Sequence, residues 1–206
     1  MFNTIEECIS ELHQKVYRRG INYTLADFQS HLSLLNNPQE SLRNVVHIAG
    51  TNGKGSTVAM LSQALMKEGH SVGTFTSPHI ESYLERITLN GETISEPLFC
   101  EYFNKVSKAP EFQTEFEVLT VMSLLFFKDT QPDFIIFETG LGGRFDTTNV
   151  VTPILSIITK ISLDHQEILG DSLVEIAQEK AGIIKTNCPV ISINSQEMEV
   201  KLILEK

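Results

Sequence analysis

The sequence predicts an α/β fold, a doubly wound and mostly parallel sheet with helices on both faces and a helical extension ahead of it. Three observations predict it. Two near-continuous apolar runs, DFIIF at Asp133 to Phe137 and PILSII at Pro153 to Ile158, have the pattern of strands covered on both faces. Strand-like runs alternate along the chain with longer stretches of helical period. The run NVVHIA at Asn44 to Ala49 passes straight into Gly50 and then a helical stretch, giving the order strand, glycine loop, helix.

The elements follow in order. From Thr4 to about Leu35 the period is helical, with a capping box at Thr4-x-x-Glu7 and Ile5, Ile9, Leu12 and Val16 on one face. This helical lead-in occupies residues 1–43. After the glycine loop, Ser56 to Lys67 reads as a helix and Val72 to Thr76 as a strand. Arg86 to Leu89 and Thr93-Ile94, joined by Asn90-Gly91, read as a hairpin with a type I′ turn. Ser95 caps a helix reaching about Ser107, and Thr114-x-x-Glu117 opens another whose apolar face continues through Val118, Val121, Leu124 and Leu125. Ser172-x-x-Glu175 starts a further helix, Pro189 to Ile193 a strand, and Ser195 caps a last helix whose pattern persists to Lys206. Without repeats or a linker, one domain over 1–206 is expected.

Composition narrows the function. The 206 residues are 41% hydrophobic and 20% charged, the balance of an ordinary globular chain. No segment approaches the roughly 20 consecutive apolar residues that span a bilayer, and Met1 to Ser10 has no leader pattern. The expectation is a cytoplasmic monomer with no membrane partner. A formal net charge of −10 repels phosphate backbones at long range, so nucleic acid is not an expected partner, although a local basic pocket can still hold a nucleotide. Cys8, Cys100 and Cys188 are odd in number and far apart, without a C-x-x-C pair, and read as free thiols.

The strongest local signal is Gly50-Thr51-Asn52-Gly53-Lys54-Gly55-Ser56, between a strand and a helix. Glycines let backbone N–H groups turn toward a phosphate, the helix N-terminus adds partial positive charge, and Lys54 supplies a full one. The loop departs from G-x-x-x-x-G-K-[ST], because the spacing before Gly53 is shorter and Gly55 separates Lys54 from Ser56. The competing reading is a structural turn with an exposed lysine. Glu138 closes the DFIIF strand and is followed by Gly140, Gly142 and Gly143. A carboxylate at a strand end, where open α/β sheets bind ligands, is a candidate for a hard cation.

The loop resembles the P-loop variant of the Mur ligase superfamily, which implies a P-loop NTPase-like fold of the Mur ligase central domain type. The remaining motifs are similar to folylpolyglutamate synthases and dihydrofolate synthases: HIAGTNGKGS at His47 to Ser56, TSPHIESYLERI at Thr76 to Ile87, TEFE at Thr114 to Glu117, FETGLGGRFDTTN at Phe137 to Asn149, and LDHQEILG through EKAGIIK at Leu163 to Lys185. The match runs from about Ile21 onward. It implies a reaction in which ATP phosphorylates a carboxylate of dihydropteroate or a folyl glutamate, and the amine of L-glutamate attacks the acyl phosphate.

The resemblance also implies residue roles. Lys54 neutralises phosphate charge, Ser77 and Glu138 bind a first magnesium, His165 helps bind a second, and Lys180 carries a magnesium-binding carbamate. Folate contacts fall on Thr114, Glu115, Phe116 and Glu117 and on Phe145, Asp146 and Thr147, with the loop from Ser77, Pro78 and His79 to Tyr83 closing over the pterin. Plainer readings stand beside these. Ser77 can simply start a turn, His165 can face solvent, Lys180 can be a helix-surface lysine, Phe116 a core aromatic, and Thr114 with Glu117 makes a capping box. Family members carry a further C-terminal glutamate-ligase domain, absent here, and the last helix lacks a C-cap glycine. The expectation is a truncated portion that keeps its fold with little ligase activity. The other readings are a nucleotide-binding module without chemistry, another Mur-type amide ligase, and a P-loop kinase or GTPase. The last lacks the hydroxyl residue directly after Lys54 and an N-K-x-D base reader.

Overall fold

The computed structural model describes residues 1–15, 24–109 and 114–205. Val16, the start of the family resemblance near Ile21, and the helical pattern at Lys206 lie outside the described residues. The lead-in forms α1 (Ile5–Lys15), α2 (Leu25–Leu32) and a 3-10 turn at Ser33–Leu35. Of the capping box expected at Thr4, the hydroxyl does accept from the Glu7 N–H at 3.3 Å, but the Glu7 carboxylate accepts from the Asn3 N–H instead. The sheet then builds around β1 (Val45–Ala49), followed by α3 (Lys54–Lys67), β2 (Val72–Phe75), β3 (Ile87–Leu89), β4 (Glu92–Thr93), α4 (Glu96–Ser107), α5 (Glu115–Thr130) and β5 (Phe134–Glu138). The rest is β6 (Leu155–Ile158), α6 (Gln166–Leu169), α7 (Leu173–Ala181), β7 (Val190–Ser192) and α8 (Met198–Leu204).

The described strands form one sheet in the order β4-β3-β2-β5-β1-β6-β7. β1 is parallel to both β5 and β6, β2 is parallel to β5, and β7 to β6. The hairpin is antiparallel and extends the sheet past β2, with Asn90 and Gly91 at φ of 54° and 80° as a type I′ turn requires.

Both faces of the sheet are buried, which explains the continuous apolar runs. Val46, Ile48, Val72 and Ile136 meet Val58 of α3 on one face. Val45, Phe75, Ile135 and Phe137 meet Val118, Val121, Met122 and Phe127 of α5 on the other, and Ala49 and Ile158 meet Ile176 and Ala177 of α7. Cys8 and Cys100 are buried free thiols with Sγ atoms 3.7 Å apart, and Cys188 is half-buried.

Thr114 and Ser172 cap α5 and α7 with both halves of their capping boxes formed. Two other expected caps differ. Ser95 precedes α4, but its side chain makes no capping hydrogen bond. Ser195 does not begin the last helix, because α8 starts at Met198 behind Glu197. The delay has a cause: Gln196 turns inward to accept from the Ile161 N–H and donate to the Thr159 carbonyl, and the Ser195 carbonyl accepts from Lys160 Nζ. That segment is tied to the end of β6 before the helix can begin.

Candidate functional site

The parallel strands β1, β2, β5 and β6 end on the same side of the sheet, and the expected site loops follow those ends. Gly50 leaves β1 at φ of 149°, where a Cβ would collide with the Thr159 hydroxyl, so the loop can lie against β6 only with glycine here. The Thr51 and Asn52 N–H groups both donate to the Lys160 carbonyl, at 2.9 and 3.2 Å. The Thr51 hydroxyl exchanges hydrogen bonds with the Ser162 backbone at 3.1 Å. These two residues brace the loop from behind. Gly53, at φ of 88°, takes the N-cap position of α3, and no side chain caps that helix. An uncapped N-terminus leaves first-turn N–H groups free for an anion. Lys54 is the first residue of α3, and among the described residues its Nζ donates only to the Thr51 carbonyl, at 3.4 Å.

Glu138 ends β5 beside this loop and is 4% exposed. An Oε2 atom accepts weakly from the Ser77 N–H at 3.4 Å and lies 3.5 Å from where a Gly55 side chain would sit. Burial holds the Glu138 carboxyl above the ordinary range, while Lys54 and the N–H groups of Ser77 and Gly55 pull it part of the way back. Ser77 belongs to the turn carrying the cis Ser77–Pro78 bond. Lys54, Gly55, Ser77 and Glu138 therefore meet in one place.

Lys180 is 3% exposed, which removes the reading of a helix-surface lysine. Its Nζ donates to the Gly50 carbonyl at 3.0 Å, linking α7 to the root of the glycine loop. Burial, with the charge of Lys54 adding to it, lowers its pKa from 10.5 to about 8. Asp164 and Asp146 act on it in the opposite direction.

The segment after Glu138 explains how α7 is brought close. A Cβ on Gly143 would lie 2.8 Å from the carbonyl oxygens of Glu179 and Lys180. Arg144 N–H donates to the Glu179 carbonyl at 2.7 Å, and the Asn149 amide donates to the carbonyls of Arg144 and Gly182. Asp146 is buried and holds this segment together. It accepts from the N–H groups of Gly140, Leu141 and Thr148, each at 2.9 Å, and from the Thr148 hydroxyl. His47, wholly buried on β1, hydrogen bonds that same hydroxyl at 2.8 Å. The Thr147 hydroxyl meets Thr120 at 2.8 Å, while Phe145 is 66% exposed.

The remaining expected residues divide. Phe116 packs against Phe75 and the face of Gly140, so part of it is core. Glu117 is buried and completes the α5 capping box with Thr114. Glu115 turns to the loop after β2, where it pairs with Arg86 at 3.3 Å and accepts from the Tyr83 hydroxyl at 3.1 Å. His79 packs against Tyr83 with ring centroids 4.2 Å apart and planes tilted by 41°, and accepts from Arg86 Nε at 2.9 Å. His165 lies apart from the Lys54–Glu138 contacts: it precedes α6 at φ of 48°, has a 55% exposed side chain, and its ring approaches Asp164 at 3.7 Å.

The donor set fits magnesium. That ion keeps much of its water and takes one or two protein carboxylates together with phosphate oxygens. Glu138 and the Ser77 hydroxyl are hard oxygen donors of that kind. Among the described residues no group of three or more His, Cys, Asp or Glu side chains forms a protein-only cage.

A doubly wound sheet whose first strand enters a glycine loop with a lysine at an uncapped helix N-terminus is a P-loop-type α/β domain. The Mur ligase middle domain profile matches residues 48–204, and the chain belongs to that family. It is 41% identical over 212 residues to the dihydrofolate synthase/folylpolyglutamate synthase of Bacillus subtilis (strain 168), covering 98% of this chain and 49% of that protein. A solved structure of E. coli FolC in complex with DHPP and ADP superposes with a TM-score of 0.87 at 32% identity, over 96% of this chain and 49% of that one. The apo form of L. casei FPGS gives 0.89 at 33% identity, over 97% and 50%. The chain thus spans about half the length of the relatives it matches.

Sequence reasoning passed over Arg86, His47, Asp164 and Thr159. Arg86 had a visible signal, an arginine opening a strand within TSPHIESYLERI. The others acquire meaning only from partners distant in the chain.

Proposed function

We propose that this chain is the ATP-binding portion of a ligase that joins L-glutamate to dihydropteroate, a folyl glutamate or both, through an acyl phosphate. The observation that carries the reading is the meeting of Lys54, the uncapped start of α3 and the buried Glu138 at the strand ends. The relatives' names, and the DHPP and ADP held by E. coli FolC, support the choice of substrates.

Polyphosphate binds the N–H groups of the Gly53–Lys54 turn, since those of Thr51 and Asn52 are engaged with Lys160 and that of Gly55 faces Glu138. Lys54 places its charge on the β and γ phosphates. Glu138 and Ser77 would hold a magnesium ion and His165 would help hold a second, and these ions would supply further charge neutralisation between two anions that must approach for in-line transfer. The neutral fraction of the Lys180 amine, favoured by a pKa of about 8, adds carbon dioxide and loses a proton to become a carbamate. Its charge then changes from positive to negative, next to Gly50. The acid substrate lies against Ser77, Pro78 and His79, Thr114 to Glu117, and Phe145 to Thr147, the segments the family resemblance assigns to it.

Titrating the chain with dihydropteroate in the presence of Mg-ATP tests this. Saturable binding of the pterin acid is the expected result. A nucleotide site that fills while no pterin acid binds would replace the ligase reading with that of a nucleotide-binding module.

A further inference from the structure

The loop between β2 and β3 is held by a network within itself that also reaches α5 and α1. Glu85 accepts from the N–H groups of Ile80, Glu81 and Ser82 at 2.7 to 2.9 Å and so closes the loop on itself. Arg86, only 8% exposed, donates from Nε to His79 Nδ1 at 2.9 Å and pairs through its terminal nitrogen with Glu115 of α5. The Tyr83 hydroxyl donates to the other Glu115 oxygen at 3.1 Å and lies 2.9 Å from Nε2 of His13 on α1. The phenolic proton is engaged with Glu115, so His13 Nε2 is the donor in that last contact.

These contacts decide a proton. An arginine N–H aimed at Nδ1 requires a lone pair there, so the single proton of a neutral His79 sits on Nε2. No described residue accepts from that Nε2–H. Glu115, Glu85 and Arg86 face the ring, and Tyr83 packs against it.

We propose that Arg86 is a positioning residue that holds His79 as the Nε2-protonated, uncharged tautomer. His79 then acts as a neutral hydrogen-bond donor to a carbonyl oxygen or ring nitrogen of the acid bound beneath this loop. The tautomer stands on the free protein alone; the donor role rests on the proposed ligase reading. An uncharged donor selects an acceptor group on the ring system and does not compete with Lys54 for the anionic end.

The test is a long-range proton–nitrogen correlation spectrum of protein labelled with 15N in its histidine rings, with His79 assigned by the spectrum of His79→Gln. The expected result at neutral pH is one pyrrole-type nitrogen at Nε2 and one pyridine-type at Nδ1. Arg86→Lys, which lacks the Nε donor, shifts His79 toward an averaged tautomer pattern. Glu115→Gln, which keeps that donor, leaves the tautomer as it was. An Nδ1-protonated or averaged ring in the wild type overturns the proposal, whether or not Arg86→Lys folds, and so does a folded Arg86→Lys with an unchanged spectrum.

Adding dihydropteroate with Mg-ATP should shift the Nε2 signal, and Arg86→Lys should weaken that binding about tenfold, the scale of one neutral hydrogen bond. In a His79→Gln background, where the amide donates without help from Arg86, the same substitution should cost no further affinity. Binding that leaves Nε2 unmoved refutes the donor role. Absence of binding sinks the ligase reading and the donor role together, while the spectrum of the free protein still decides the tautomer.

Discussion

Lys180 shows what burial does to one side chain. An ammonium out of water on a single carbonyl, with Lys54 near it, is destabilised relative to the amine, hence the value of about 8. Below about pH 8 the folded and unfolded chains both carry this proton, and the folded state bears the full burial cost. Between about 8 and the ordinary 10.5 the unfolded chain keeps a proton that the folded one has released, so stability rises with pH in that window. In buffer free of carbon dioxide, Lys180→Met should therefore melt above the wild type at pH 7, and the gap should narrow as pH rises from 8 to 10. A gap independent of pH would show that Lys180 is not held against its charge. From the sequence alone this lysine was indistinguishable from a surface residue, since its burial arises from the approach of α7 to the glycine loop. Lys54 and Glu138 could be singled out from the sequence because Lys54 opens a helix behind a strand and a glycine loop and Glu138 closes a strand, so position carries the meaning.

At the level of elements, the approach of α7 depends on glycine. A methyl group at Gly143 would press on the Glu179 and Lys180 carbonyls at 2.8 Å and weaken the Arg144 N–H bond to Glu179. Gly143→Ala should cost about 1–3 kcal/mol, the usual range for overpacking a close contact, read by denaturant unfolding. An alanine variant as stable as the wild type would mean the segment does not clamp α7. Some elements could be read directly. β5 and β6 were marked by their apolar runs, the hairpin by Asn-Gly, and α5 and α7 by capping boxes that both form. The 3-10 turns at Tyr83–Arg86 and Thr147–Val150 could not, because Glu85 and Asp146 fix them by gathering nearby N–H groups rather than through any hydrophobic period. The start of α8 was missed for a tertiary reason, the inward turn of Gln196.

Across the whole molecule, sheet order and crossovers bring residues 61 to 130 positions apart into contact. Thr51 meets Ser162, and Gly50 meets Lys180, because β1 lies beside β6. Ser77 meets Glu138 because β2 lies beside β5. The alternation of elements announced a parallel sheet but not which strands would be neighbours, so the motifs were visible while their convergence was not. Nor did periodicity show that the antiparallel hairpin would continue that sheet. The glycine loop is braced from behind by Lys160 and Ser162, and among the described residues the Lys54 ammonium donates only to the Thr51 carbonyl.

On the proposed reading, the Gly50–Ser56 loop is a polyphosphate site whose positive charge is supplied by Lys54. Calorimetric titration with Mg-ATP, run on the wild type and on Lys54→Ala, tests it most directly. Saturable binding to the wild type, weakened about a hundredfold in the variant by loss of a charge-assisted contact, with the thermal transition of the free protein unchanged, is the predicted result. Equal binding by both proteins, or binding by neither, would contradict the account.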